Sequence, residues 1–236
     1  MPAVSPPPGN RLLAALDDSV LARLLPRLDQ VELTLNDVLY EPNDSVTDVY
    51  FPVDAIVSLF CVLEDGASAG TAMIGNEGMI GLALVTRGAA MPFRAVVQSD
   101  GRALKLRGKY LVEEFAKCGA LHDLLLRYAQ VLLTQSAQIA ACNRYHTVAQ
   151  QLSRWLLQAA DRATPRNLRM TQELIAVNLG VRREAITTAA RGLQRAGVID
   201  YSRGHITVLD RSLLEELACE CYGIVRRETD RLLSGF

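Results

Sequence analysis

The forty residues from Met170 to Leu209, MTQELIAVNLGVRREAITTAARGLQRAGVIDYSRGHITVL, narrow the possible folds of this chain more than any other segment. Thr171 is placed to cap a helix whose apolar contacts come from Leu174, Ile175, Val177 and Leu179. Gly180 follows where two helices must turn through roughly 100° within about four residues, and glycine takes positive φ without penalty. A second helix opens with Arg182, Arg183 and Glu184 and carries Thr187, Thr188 and Arg191 on the side away from Ile186, Ala190 and Leu193. Gly197 ends it, and Val198 to Tyr201 and Ile206 to Leu209 make two short strands around the turn Ser202-Arg203-Gly204-His205. Helix, tight turn, helix and hairpin form the plan of a winged helix-turn-helix. An oily helix with a polar, basic first turn suits insertion into a DNA major groove, and an arginine at the hairpin tip suits a phosphate. The candidate DNA-binding residues are Thr171, Gln172, Arg182, Arg183, Glu184, Thr187, Thr188, Arg191 and Arg203.

The formal net charge of −1 over 236 residues says nothing about nucleic acid, but the distribution of charge does. From Arg162 to Leu209 there are eight arginines against three acids, the local basic surface expected of a phosphate footprint. No apolar run approaches the roughly 20 residues that span a bilayer, and the Pro-rich start MPAVSPPPGN lacks a hydrophobic signal region, so a cytoplasmic protein without membrane contact is expected. Residues 1–9 read as a disordered tail.

From about Val31 to Leu106 the chain breaks into short apolar runs, VELTL, VLYEP, VYFPV, AIVSLFCVL, TAMI, RAVVQ and ALKL, separated by turn residues. Strands at this spacing point to an antiparallel sandwich, roll or barrel. The fold class is therefore α+β, with a β-roll and flanking helices over residues 10–118 and helical patterning from Lys109 onward. Leu121, Leu125, Tyr128, Leu132, Gln135, Ile139 and Cys142 follow steps of four and three, an a/d seam that predicts a dimerisation helix over 119–146, while Leu124, Val131 and Ala137 widen the stripe so that packing on the chain's own domain is open as well. Thr147 and Gln150 match a capping box, so a new helix starts there and Tyr145-His146 is a hinge. Residues 147–236 then form the winged domain and a C-terminal helical extension.

This arrangement resembles the Crp/Fnr family of bacterial transcription regulators, most closely in TQELIAVNLGVRREAITTAARGLQRAGVI and in GNEGMIGLALV followed by RAVV. The resemblance implies a cyclic-nucleotide-binding-like β-roll, a homodimer, a two-fold related site on double-stranded DNA with half-sites roughly 34 Å apart, and RNA polymerase as a further partner. In the family an arginine and a glutamate open the recognition helix, with another arginine one turn later. Arg183 and Glu184 match the first two, able to grip guanine O6/N7 and accept from cytosine N4, while Thr188 stands at the third. Members that bind cyclic AMP hold the ribose with a glutamate; here Gly78-Met79-Ile80-Gly81 lacks that carboxylate. Arg94 stands near the place of the phosphate arginine, and Ser136 supplies one hydroxyl where two are expected. The candidate ligand residues are Met79, Gly81, Arg94 and Ser136, with cyclic AMP disfavoured and the pocket empty, reshaped for another ligand, or closed by Met79 and Phe93.

Five cysteines without paired spacing argue against a disulfide framework. Cys219 and Cys221, taken as two positions on one helix, diverge by about 200° and cannot share an ion. Cys142 and His146 would meet their copies across a dimer axis as an S2N2 set only if the hinge did not spoil the helical register. No metal site, cofactor or catalytic constellation is expected, and the chain reads as a regulator and not an enzyme. The alternative is a sensor or scaffold whose winged domain binds protein; the arginine-rich opening of the second helix favours DNA.

Overall fold

The computed structural model describes residues 9–86, 90–162, 167–202 and 204–234; the expected tail and Arg203 fall outside them, apart from Gly9. The first helix, α1 (Arg11–Ala14), is fixed from its cap. Asn10 accepts from the Leu13 amide at 2.9 Å and donates to the carbonyls of Pro52 (2.8 Å) and Gly78 (3.1 Å). One buried amide thus ties a helix start to a strand end and to a turn, because each of its polar atoms must find a partner away from water. Helix α2 (Asp18–Leu24) follows and buries Val20, Leu21 and Leu24.

Seven strands come next: β1 (Leu28–Leu33), β2 (Val38–Tyr40), β3 (Asp48–Pro52), β4 (Ile56–Val62), β5 (Ser68–Ile74), β6 (Arg94–Ser99) and β7 (Gly101–Arg107). They pair antiparallel in two sheets, β1-β7-β3 and β2-β6-β4-β5, giving the expected roll. Asn36 and Asn43, both at φ 72°, take the left-handed conformation that short polar side chains tolerate in turns. In β4 the residues Ile56 to Phe60 are all buried, so the strand is covered on both faces and the usual alternation disappears. Val57 and Leu59 face the core of the roll, whereas Ile56 joins Met73 in the core of the winged domain. The two halves therefore share apolar packing.

Helix α3 (Gly108–Phe115) leads to the long α4 (Ala120–Tyr145), then α5 (Val148–Arg162). The break falls where the capping box places it: the Thr147 hydroxyl accepts from the Gln150 amide at 3.3 Å, and the Gln150 side chain accepts from the Thr147 amide at 3.0 Å. The winged domain contains β8 (Asn167–Arg169), α6 (Gln172–Leu179), α7 (Arg183–Arg195), β9 (Ile199–Ser202) and β10 (His205–Val208), with the wing a three-stranded sheet ordered β8-β10-β9. Strand β8 adds a third strand to the expected hairpin. The extension forms α8 (Arg211–Leu217) and α9 (Cys221–Leu233). Helix α9 lies against α4 and α5, with Leu232 in the same cluster as Leu121, Leu124 and Leu125.

The expected seam on α4 is corrected by this packing. Leu121, Leu125, Tyr128, Gln135 and Cys142 are buried within their own chain, not presented to a second copy. The Tyr128 hydroxyl donates to the Met79 carbonyl at 2.8 Å and accepts from its amide at 3.0 Å, while Gln135 donates to the Met73 carbonyl at 3.3 Å. Leu132 also packs on the roll. Four-three spacing identifies an apolar face but not its neighbour, and here the neighbours are the roll and α9. Besides Tyr145 at its last position (79% exposed), the large apolar side chains of α4 left in solvent are Leu126 (54%) and Leu133 (64%), seven residues apart, continued by the exposed small residues Ala137 and Ala140. Among the described residues no helix is long and apolar enough to cross a membrane.

Candidate nucleic-acid interface

Thr171 accepts from the Leu174 amide at 3.2 Å and so starts α6 one residue before Gln172. Gly180 ends α6 at φ 65°, ψ 32°, and this left-handed step swings the chain into α7. Arg182 is the cap residue of α7, and Arg183 and Glu184 occupy its first turn, all exposed. Ile186, Ala190 and Leu193 are buried beneath, in a core shared with Ile175, Leu179, Trp155 and Leu156. The apolar face thus fixes how α7 lies, and the polar face is what remains outside.

Two helices are locked in register by one side-chain bond: the Thr187 hydroxyl donates to Gln172 Oε1 at 2.7 Å. Thr188 donates to the Glu184 carbonyl at 3.0 Å, which keeps its hydroxyl close to the helix. Gln172, Arg183, Glu184, Thr187 and Arg191 line one shallow groove, joined by Gln194 and Tyr201. A neighbouring groove combines Thr171, Gln172 and Arg183 with Tyr201 and Gly204. Tyr201 was not among the expected residues; its hydroxyl donates to the Met170 carbonyl at 3.3 Å, and burial raises its pKa while the charge of Arg183 acts the other way. Among the described residues, no carboxylate pairs with Arg182, Arg183 or Arg191. Arg182 and Arg183 belong to the N-terminal end of α7, whose dipole adds to their charge and favours an external anion, while Arg191 lies about two turns further along.

One expected contributor to the basic surface is placed elsewhere. Arg162 is buried and donates through Nε at 2.7 Å to Glu77 Oε1 in the turn after β5, with Nη2 in an ion pair 2.7 Å from the same oxygen. Position in sequence indicated a cation near the winged domain; it could not reveal a carboxylate 85 residues away.

The four candidate ligand residues of the roll are engaged with the protein itself. Met79 is buried in the cluster of Val49, Phe51 and Tyr128. Gly81 takes φ 100°, and a Cβ there would meet Val49 Cγ1 at 2.9 Å. Arg94 donates to Glu41 through Nε (3.0 Å) and Nη2 (2.7 Å), and Ser136 donates to the Thr71 carbonyl at 3.1 Å.

The helical premise applied to Cys219 and Cys221 is also corrected. Helix α9 begins at Cys221, and Cys219 lies before it, after the extended Ala218. Both cysteines consequently reach Cys142 and His146 of the same chain. Long-range pairing of this kind has no signal in local spacing.

Comparison with known proteins places these features in context. Residues 30–118 match the family model described as a cyclic nucleotide-binding domain, and residues 150–217 match the Crp-like helix-turn-helix domain. Similar solved structures include FixK2 from Bradyrhizobium japonicum, with a TM-score of 0.69 and 18% identity over 81% of this chain and 98% of that one. A transcriptional regulator of the CRP family from Thermus thermophilus, TTHB099, gives 0.65 and 18% over 80% and 96%. The c-di-GMP responsive global regulator CLP of Xanthomonas campestris gives 0.62 and 15% over 81% and 99%. No curated protein sequence matches the chain.

Proposed function

Because the chain belongs to the Crp/Fnr family, as a transcription regulator with a helix-turn-helix DNA-binding domain, we propose that it acts in the cytoplasm as a homodimer reading a two-fold related site on double-stranded DNA. In this reading α7 enters the major groove. Arg183 and Glu184 reach base edges, where arginine suits guanine and glutamate suits cytosine. Thr171, Gln172, Arg182, Thr187, Thr188 and Arg191 then set the helix against base edges and backbone, with Arg203 on phosphate and RNA polymerase as the downstream partner.

The observation that carries this reading is the exposed opening of α7, whose arginines have no carboxylate partner among the described residues although acids are plentiful elsewhere on the surface. A protein-binding face would be expected to offer exposed aromatic anchors, and α7 contains no Phe, Tyr or Trp. Dimerisation uses the side of α4 bearing Leu126, Leu133, Ala137 and Ala140, whose seven-residue spacing fits a helix pair. The roll serves as a scaffold or takes an effector other than cyclic AMP, since Arg94 and Ser136 already have protein partners.

The test is fluorescence anisotropy with duplex genomic fragments at a series of salt concentrations. Binding should weaken steeply with salt, each neutralised phosphate adding about −0.9 to the log–log slope, and Arg182→Ala should reduce the slope by about one unit per subunit. Binding indifferent to salt would contradict the assignment.

A further inference from the structure

The end of α4, the hinge and the C-terminal extension meet in a cluster of four side chains, Cys142, His146, Cys219 and Cys221, whose ligand atoms all lie within 4.8 Å of one another. Cys142 Sγ is 3.5 Å from Cys219 Sγ, and Cys221 Sγ is 3.7 Å from His146 Nδ1. Thiolates about 2.3 Å from a tetrahedral zinc ion stand roughly 3.8 Å apart, so the four atoms already approximate the corners of such a shell. All three cysteines are buried.

The surroundings fit an ion as well. His146 presents Nδ1 to the cluster and directs Nε2 to the Glu220 carboxylate at 3.3 Å, the outer partner that orients a ligating imidazole. Gln151 donates to the carbonyls of His146 (2.9 Å) and Cys142 (3.4 Å), holding the hinge against α5. Arg154 is only 2% exposed, has an Nε atom without a hydrogen-bond partner, and pairs with no carboxylate among the described residues. A buried guanidinium needs a nearby negative charge. Three thiolates, one neutral imidazole and one divalent ion carry a net single negative charge, which Arg154 offsets. Arg154 lies within electrostatic and hydrogen-bonding reach of Cys142.

We propose that Cys142, His146, Cys219 and Cys221 bind one thiophilic divalent ion of the zinc type in a closed tetrahedral Cys3His site within each chain. The thiols still protonated release their protons to solvent as the ion enters, and no electrons change hands. The ion fastens α9 and the turn before it to the last turn of α4 and to the hinge, so it fixes the angle at which α5 leaves α4. With all four positions filled by protein, the site is structural.

The test uses the full chain, reduced and stripped of metal, titrated anaerobically with Co2+. The expected result is one ion per chain, thiolate-to-cobalt charge-transfer bands, strong tetrahedral d–d bands, and displacement by one equivalent of Zn2+. Cys219→Ser and Cys221→Ser should lose the tetrahedral spectrum, while Cys61→Ser and Cys118→Ser, at exposed positions, should retain it. Glu220→Gln leaves every ligand in place and should weaken zinc by about 10–100-fold. A wild-type chain that takes up no cobalt, or gives only a weak octahedral spectrum, would overturn the proposal. The readout involves no DNA, so its failure would leave the proposed function standing.

Discussion

Glu77→Gln offers a direct measure of what joins the roll to α5. Glu77 and Arg162 are each 8% exposed at the side chain. Oε1 of Glu77 takes Nε and Nη2 of Arg162 and also the Gly75 amide at 3.3 Å, while Nη1 of Arg162 donates to the Gln158 carbonyl at 2.8 Å. Glutamine keeps the shape and one acceptor but removes the charge, leaving a buried guanidinium without its counter-ion. Removing one member of a buried pair costs about 3–5 kcal/mol, and the retained acceptor places this variant near the lower end, about 3 kcal/mol. That is a large share of the roughly 5–15 kcal/mol that holds a typical protein folded. A melting shift on the order of 10 °C follows at about 2–4 °C per kcal/mol for a protein of this size. Urea unfolding followed by circular dichroism and by the fluorescence of Trp155, the single tryptophan and part of the winged-domain core, would measure it. The double variant Glu77→Leu/Arg162→Met, which removes both charges, should recover to within about 1 kcal/mol of wild type. A loss below about 1 kcal/mol for Glu77→Gln would refute the reasoning, because only a solvated pair is worth so little.

Leu126→Glu with Leu133→Glu should yield monomers by light scattering, whereas the same change at the buried Leu121 and Leu125 should unfold the chain; a dimer surviving the first pair would move the interface elsewhere. Arg23 and then Lys117 hold the Glu114 carboxyl down to about 2. With an unfolded value near 4.3, this group stabilises the fold above that pH and loses its contribution as pH falls through about 2. Glu114→Gln should therefore flatten the acid limb of the stability profile, and an unchanged limb between those values would remove Glu114 from the account. Cyclic AMP should bind no tighter than roughly 0.1–1 mM by calorimetry, since each missing polar partner costs about 1–3 kcal/mol. Micromolar binding abolished by Arg94→Ala would restore the roll as a conventional cyclic-nucleotide site.

The parts of the fold visible in the sequence are those whose cause is local. The turn at Gly180 needs positive φ, Thr171 and Thr147 cap helices within three residues, and the strands of the roll are cut by asparagines and glycines. The opening of α7 was legible for the same reason, because one helix displays its oily and basic faces every turn. What could not be read is who covers an exposed-looking face. Leu121, Leu125 and Tyr128 have the spacing of a dimer seam and serve the roll and α9 instead. Arg162 counts as basic surface until Glu77 is found beside it. The four cysteine and histidine ligands come from positions up to 79 residues apart, and Cys219 and Cys221 converge only because a helix begins between them. Strand β8 is too short and too polar to signal itself, and it is held by pairing with β10.

The central claim is that the exposed face of α7 reads DNA sequence in a two-fold arrangement. Selection of bound duplexes from a random pool, run in parallel with wild type and Arg183→Ala, tests it most directly. Wild type should enrich inverted half-sites centred about 10 base pairs apart, and Arg183→Ala should lose preference at one base pair in each half-site at a cost of about 1–3 kcal/mol. Enrichment of no sequence, or an identical motif from both proteins, would contradict the account.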